Sequence, residues 1–313
     1  MSRSLSYRPD GTFKIVQFTD LHWTNGGEKD KRTRALMERV LEEERPDFIV
    51  LTGDVIESLR CNDPLQSYRD VLSVVAQKGI PWASIFGNHD CEGNVSKEQL
   101  MDIQLGLPGT VAETGPANIA GVGNFVVPIA DSSSKTGAAL YFLDSGAYSE
   151  LTAVPGYDWI RPSQIEWFRE QAARLKEGNG GVGVPGLVFF HIPLPEYREV
   201  WDHVVCHGHR YERVQSPKLN SGFFAAMVQS GSVMGTFCGH DHINDYVGTL
   251  RGIKLCYGRA TGYNTYGRWL YRRGARVIQL RRGEPGFETW LRLAGGKKVV
   301  HARKHSPNYF SRA

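Results

Sequence analysis

Short apolar runs that end in polar residues punctuate the chain. Phe13 to Thr19 is β-rich and runs into Asp20, and Asp47 to Gly53 (Asp-Phe-Ile-Val-Leu-Thr-Gly) runs into Asp54. Between them Thr33, Leu36, Met37, Val40 and Leu41 recur at three- and four-residue intervals, while Glu38, Arg39, Glu42 and Glu43 fill the opposite face, which predicts an amphipathic helix. Strand, helix, strand is a βαβ unit and implies parallel pairing. A second helix is predicted over Leu65 to Lys78, stopping at Gly79, followed by a short strand from Trp82 to Phe86.

From Gly121 the pattern changes. Asn124 to Ile129 and Ala138 to Leu143, joined by the turn-like Asp131-Ser132-Ser133-Ser134-Lys135-Thr136-Gly137, read as a hairpin. Arg161 to Lys176 reads as a helix with Pro162 in its first turn and Ile165, Phe168, Ala172 and Leu175 on one face. A strand from Gly186 to Phe190 follows. Pro193 to Asn220 reads as a long irregular stretch of the kind that forms lids, and precedes a helix around Phe223 to Gln229 and a strand from Val233 to Cys238. Ile253 to Cys256, Ala275 to Leu280 and Glu288 to Leu293 are expected as antiparallel strands closing a sheet. Gly178 to Gly183 spells G-x-G-x-x-G, but it follows a helix and precedes a strand, the reverse of a dinucleotide loop.

Five of the junctions carry chemistry: Asp20-Leu21-His22, Gly53-Asp54, Gly87-Asn88-His89-Asp90, His191, and Gly239-His240-Asp241-His242. In open α/β sheets, loops beyond the strand ends can aim polar groups at one point. Oxygen and imidazole donors converging there suggest a metal site. On an extended backbone, residues two apart point the same way, so Asp20 with His22, and His240 with His242, are each expected to present two ligands to one side, while the adjacent Asn88 and His89 diverge.

In order and spelling these segments resemble the calcineurin-like metallophosphoesterase superfamily, with its D-x-H, G-D, G-N-H-[DE], lone His and G-H-x-H signature. Phe190 to Tyr197, Asn220 to Phe224 and Leu255 to Gly258 look like the purple acid phosphatase-like branch, and the similarity spans roughly residues 13 to 293. The resemblance implies a four-layer αββα sandwich, two mixed sheets flanked by helices. It also implies one ion held by Asp20, His22, Asp54 and His242, and a second held by Asp54, Asn88, His191 and His240, with Asp54 bridging. His89 would face the substrate as proton donor, and Asp90 would orient its imidazole. The implied reaction is hydrolysis of phosphate esters by metal-activated hydroxide. Carboxylate, amide and imidazole donors without thiolate suit two divalent or trivalent ions such as manganese, iron or zinc. The purple enzymes have Gly where His22 stands and a Tyr ligand after the bridging Asp, where this chain has Glu57.

Phosphomonoesters are expected over diesters, with His207, His209 and Arg259 as further donors and Tyr263 lining the pocket; Tyr266 is a second lining candidate. The alternatives are a phosphodiesterase acting on cyclic nucleotides, other small diesters or nucleic acid, and a catalytically silent metal-binding scaffold. His203, Cys206, His207 and His209 lack the spacing of a zinc site and read as solvated or substrate-facing. Asp144-Ser145-Gly146 reads as a structural turn.

Composition narrows the partners. The 313 residues are 41% hydrophobic and 22% charged, with no linker-like break, so one domain with a core over about 13–293 is expected. A net charge of +4 is too diffuse to imply nucleic acid other than as substrate. Residues 294–313, with Lys297, Lys298, Arg303 and Lys304, read as a basic, solvated tail. Five scattered cysteines form no disulfide framework. With no apolar leader and no run of about 18 apolar residues, a cytoplasmic protein without a membrane partner is expected; the alternative is an exported protein whose leader lies outside this sequence.

Overall fold

The computed structural model describes residues 5–131 and 135–307. In chain order the elements are β1 (Leu5–Ser6), β2 (Thr12–Phe18), α1 (Glu28–Glu44), β3 (Phe48–Thr52), α2 (Pro64–Ala76), β4 (Trp82–Ile85), α3 (Lys97–Leu105), β5 (Phe125–Ala130), β6 (Thr136–Phe142) and α4 (Pro162–Gly178). They continue with β7 (Gly186–Phe189), α5 (Glu196–His203), β8 (Cys206–His207), α6 (Phe223–Ser230), β9 (Val233–Cys238), β10 (Val247–Leu250), β11 (Ile253–Tyr257), β12 (Gly274–Arg281), β13 (Glu288–Leu293), β14 (Lys298–Val299) and β15 (Lys304–His305). Among the described residues one sheet has the strand order β14-β13-β12-β2-β3-β4 and the other the order β1-β5-β6-β7-β9-β11-β10-β8-β15.

Both sheets are mixed. β2, β3 and β4 run parallel to one another, as the βαβ pattern requires, and β12 closes on β2 antiparallel. In the larger sheet β6, β7, β9 and β11 are parallel. The helix α1 packs on β2 and β12 and α2 on α3, while α6 packs on β9 and α4, and α5 on β10. The result is the αββα sandwich. Alternation along β6 shows how the layers form: Ala138, Leu140 and Phe142 join the core between the sheets, and Ala139, Tyr141 and Leu143 join the core beneath α4, α5 and α6.

Between the sheets the core is an aromatic ladder. Phe125, Phe142, Phe189 and Phe237, on neighbouring strands, stack with ring centroids 4.5, 5.2 and 5.2 Å apart. Phe48 reaches Phe142 from the opposite sheet at 6.1 Å. Such contacts add roughly 0.5–1.5 kcal/mol per pair to area burial; the ladder ties neighbouring strands of the larger sheet, and Phe48 packs the smaller sheet against it.

Several expectations change. Residues 193–220 are not a bare lid, because α5 and β8 lie within them and His207 sits in the sheet between β10 and β15. β11 pairs parallel with β9 and antiparallel with β10, since the chain turns back through β10 before inserting beside β9. The basic segment is not a solvated tail up to residue 307: β14 joins β13, β15 joins β8, and the His305 ring stacks on Trp201 at 3.8 Å. The remaining tail, and the hairpin turn at 132–134, lie outside the described residues. The helix α3 was not legible by periodicity, although Ser96 and Gln99 form a capping box at its start.

One buried ion pair holds the site's support in place. Lys97 Nζ lies 2.6 and 2.7 Å from the two carboxylate oxygens of buried Asp144, which also accepts from the backbone N–H groups of Val122 and Gly146. Next to it, Ser145 Oγ accepts from the N–H groups of His191 and Ile192 at 3.2 and 2.9 Å. Lys97→Met leaves the Asp144 carboxylate buried without its cation, at an expected cost of about 3–5 kcal/mol. Denaturant unfolding of the two proteins measures this, and a loss below about 1 kcal/mol would show that the pair contributes little.

Candidate metal centre

The five motif segments meet where the parallel strands end. Asp20 and His22 follow β2, Asp54 follows β3, Asn88 and His89 follow β4, His191 follows β7, and His240 and His242 follow β9. Donor atoms of Asp20, His22, Asp54 and His242 form one buried cluster, and those of Asp54, His191 and His240 form a second, each within 4.8 Å. Asp54 belongs to both. Its Oδ2 lies 3.4 Å from His22 Nε2 and 3.2 Å from His191 Nε2.

The segments are not extended, as the two-residue spacing suggested. Asp20, His22, Asp54 and His240 have φ of 51°, 45°, 49° and 77°, in the left-handed region that side chains other than glycine rarely adopt. The donors converge through these kinks rather than through strand alternation. Gly53 has φ 82°, and a Cβ there would strike the His191 ring, so only glycine lets the two loops close on each other. A Cβ at Gly239 would collide with Thr19 and the Asp20 carboxylate.

The donor set fits divalent cations. Among the described residues, Asp20 Oδ2, Asp54 Oδ2 and Asn88 Oδ1 are buried oxygens with no hydrogen-bond partner, a state that costs free energy unless something satisfies them. His22 Nε2 faces His242 Nε2 at 3.2 Å, and His191 Nε2 faces His240 Nδ1 at 3.3 Å. Nitrogen facing nitrogen suits atoms that share a cation. Outer contacts fix two of the rings: His22 Nδ1 lies 2.5 Å from Glu57 Oε2, and His191 Nδ1 lies 2.8 Å from the Thr52 carbonyl, leaving each Nε2 as the free donor.

The electrostatics divide the donors. Burial opposes ionisation of Asp54, but His191 and His22 outweigh it and hold the carboxyl well below its ordinary range. Burial, reinforced by the neighbouring imidazoles, lowers His240 to about 3 and His242 well below the ordinary value, so both are neutral and able to donate lone pairs. His22 is pushed up to about 10 by the Asp54 and Glu57 carboxylates, and His191 to about 9 by Asp54, both against the effect of burial, so each holds a proton that a bound ion would displace.

His89 is not oriented by Asp90. The buried Asp90 carboxylate instead accepts from the N–H groups of Ile56 and Gly87 at 2.9 and 2.7 Å, lashing the β3 and β4 loops together. The part-exposed His89 imidazole meets Glu92 Oε2 at 2.9 Å and Glu57 Oε1 at 3.6 Å through Nδ1. Tyr148 completes a chain, donating to Glu92 at 3.2 Å and accepting from Asn88 Nδ2 at 3.1 Å. Tyr157 stands edge-on to His240 with centroids 4.3 Å apart, and Tyr266 lies 4.3 Å from His242. Sequence reasoning missed Glu92, Tyr148 and Tyr157, whereas Ser145, read as part of a structural turn, supports the His191 backbone. Only Glu92, three residues beyond His89, carried a usable spacing signal.

Three of the expected substrate contacts are committed elsewhere, and the fourth lies out on the sheet. Arg259 is buried, pairs with Asp245 and lies over the Tyr271 ring. His209 lies 3.5 Å from Asp245 and stacks on Tyr211. Tyr263 packs under Arg32, and the exposed His207 lies on β8, between β10 and β15 of the larger sheet.

Residues 13–244 match the family model of the calcineurin-like phosphoesterases. Over 93% of its length the chain is 38% identical to probable inactive purple acid phosphatase 29 of Arabidopsis thaliana, covering 85% of that protein. Over 96% of its length it is 34% identical to phosphatase DCR2 of Saccharomyces cerevisiae, covering 57% of it. Its fold resembles a dimetal phosphatase of Danio rerio, with a TM-score of 0.58 at 12% identity, over 88% of this chain and 98% of that one. The chain therefore belongs to the calcineurin-like phosphoesterase family and is a metallophosphoesterase.

Proposed function

We propose that this chain hydrolyses phosphate esters at a two-metal site, with Asp20, His22, Asp54 and His242 holding one ion, Asp54, Asn88, His191 and His240 the other, and Asp54 shared. The observation that carries this reading is the set of buried donor atoms without partners on those residues. Two bound ions lower the pKa of water toward about 7 and stabilise charge on the transferring phosphoryl group. The donors suit manganese, iron or zinc.

The chain's own contribution is to position groups and handle protons. Glu92 anchors His89 through Nδ1, and in the imidazolium form the second N–H, at Nε2, serves the substrate's leaving oxygen. His89 protonates the departing alkoxide there. Glu57 touches His22 with one oxygen and approaches His89 with the other, so the proton donor is held in fixed relation to the metal ligands. The rings of Tyr148, Tyr157 and Tyr266 flank the centre and offer an aromatic surface to the organic part of an ester.

Phosphomonoesters are the first substrate class, in keeping with the name of phosphatase DCR2, whereas the name of the plant relative carries the word inactive. Diesters are the second reading, favoured by the engagement of Arg259 and His209 with Asp245, which removes the cations expected to meet a dianion. The protein supplemented with Mn, Fe or Zn should turn over aryl monoesters faster than aryl diesters. Faster diester turnover would reverse the order, and no turnover by a protein with both ions bound would identify a metal-binding scaffold.

His89→Ala should keep its metal and lose about 10²–10⁴ in turnover, most for esters with poor leaving groups. Equal losses across a series of leaving-group acidities would remove the proton-donor role. Asp54→Asn replaces the shared carboxylate by a neutral amide and should cut metal content, read by elemental analysis after dialysis. Wild-type occupancy of both ions would disprove the bridge.

A further inference from the structure

Between the two sheets, on the side where β14 and β15 form their edges, lies a cavity of about 1020 Å³. Residues of β10, β8 and β15 wall it from the larger sheet, and residues of β12, β13 and β14 from the smaller one. The chain between β14 and β15 crosses from one sheet to the other and borders the cavity with Val300, His301 and Ala302. The volume suits a small organic ligand. None of the residues around it belongs to the metal clusters.

The cavity carries positive charge that the protein does not neutralise. Arg276, which lines it, is buried, and its guanidinium donates to the Tyr257 and Asp245 carbonyls at 2.6 Å each and to Thr289 Oγ1 at 3.0 Å. All three acceptors are neutral, and among the described residues Arg276 has no carboxylate partner, although buried charges are ordinarily paired. Asp245 also borders the cavity, but Arg259 takes up its carboxylate. Lys254, Lys298 and Lys304 line the same space, again without an ion pair among the described residues, and Glu288 is the one further acid there. Lys14 is paired with Glu44. The walls narrow the ligand's shape. Lys298 Nζ lies 4.0 Å from the Trp290 ring centroid and Lys254 Nζ 4.7 Å from that of Phe287, so an ammonium already lies over each of these rings and a planar base would have to displace it. The rest of the apolar wall is largely aliphatic, with Val204, Val205, Val247, Leu291, Val299 and Val300.

We propose that this cavity binds an aliphatic anion, an alkyl chain ended by a carboxylate or phosphate, with the head group on the unpaired cations and the chain along the valines. The site stands apart from the ester chemistry, because it shares no residue with the metal clusters.

The test is calorimetric titration of the full, metal-loaded chain with decanoate and with decylphosphonate, both below their micelle concentrations, beside decanol and naphthoate. Both alkyl anions should bind, the tighter of the two naming the head group, and decanol should bind roughly tenfold or more weakly, the difference that a hydrogen bond to a charged group makes. Lys298→Gln with Lys304→Gln, both exposed, should weaken the anions roughly threefold or more and leave decanol unchanged. Arg276→Gln should weaken them further, with circular dichroism reporting its fold. Asp54→Asn should bind decanoate as the wild type does. Failure of both alkyl anions to bind, equal binding of decanol, or unchanged binding by the lysine variant overturns the proposal. Tighter binding of naphthoate also overturns it, by giving the cavity to a planar ligand, and so does loss of decanoate binding in Asp54→Asn, which would place the anion at the metal centre.

Discussion

Asp54 is the point at which the two sheets are made to agree. It follows β3 of the smaller sheet, yet its Oδ2 lies between His22, from the same sheet, and His191, from the larger one. Other bonds cross the seam nearby: Gln17 Nε2 to the Cys238 carbonyl at 3.1 Å, the His240 N–H to Asp20 Oδ1 at 2.9 Å, and the His191 ring to the Thr52 carbonyl. Away from this edge the sheets are joined by apolar packing and the phenylalanine ladder, which resist separation but permit sliding. Directional polar contacts fix register, and buried ones must be satisfied completely. A carboxylate on which imidazoles from two sheets converge needs a cationic partner, so the position of the ligands and the alignment of the sheets are one problem with one solution.

That solution is strained. Residues in the left-handed region that are not glycine cost of order 1–3 kcal/mol each and persist only where the surroundings over-determine them. Asp20, His22, Asp54 and His240 all pay this, and the over-determination is visible. The N–H groups of Asp20 and His22 donate to the Gly53 and Asp54 carbonyls at 3.1 and 2.9 Å, and Asp90 fastens the β3 loop to the β4 loop. Close glycine contacts leave no room for the segments to relax apart. Strain on four of the proposed ligands and missing partners on three buried oxygens point the same way, toward a centre organised to bind cations before they arrive.

Much of this was legible in the chain. Apolar periodicity located α1 and α2, which are buried on one face, continuous apolar runs located the parallel strands, which are buried on both, and the five motifs named the residues that form the clusters. What failed has identifiable causes. Asp90 was read by adjacency to His89, but its backbone acceptor role depends on two loops that are neighbours only in the fold. Arg259 was read as a free cation, whereas Asp245, from another loop, takes it up. The segment holding α5 and β8 lacks a long apolar stripe, since its burial comes from single anchors such as Tyr197 and Cys206. The terminal strands β14 and β15 are two residues each, below the length at which alternation carries information.

The arrangement around His89 bears on whether the fold serves catalysis or only shape. Buried ligands could be kept for stability alone, because a metal can stabilise a fold. His89 is different: it is part-exposed and lies outside the two buried clusters, in a third group with Glu57 and Glu92, and its ring bonds to Glu92. Yet it is held by Glu92 on one side and approached by Glu57 on the other, and the chain runs on through Tyr148 to Asn88, while Glu57 leads back to His22. This loop of contacts joins a ligand of one cluster to a proposed ligand of the other by way of the only histidine in it not assigned to metal. Glu57 stands where the purple enzymes carry a tyrosine ligand, and here its carboxylate faces two imidazoles. A scaffold gains nothing from fixing an exposed imidazole to its metal ligands, whereas a proton donor to a leaving group at that centre requires it.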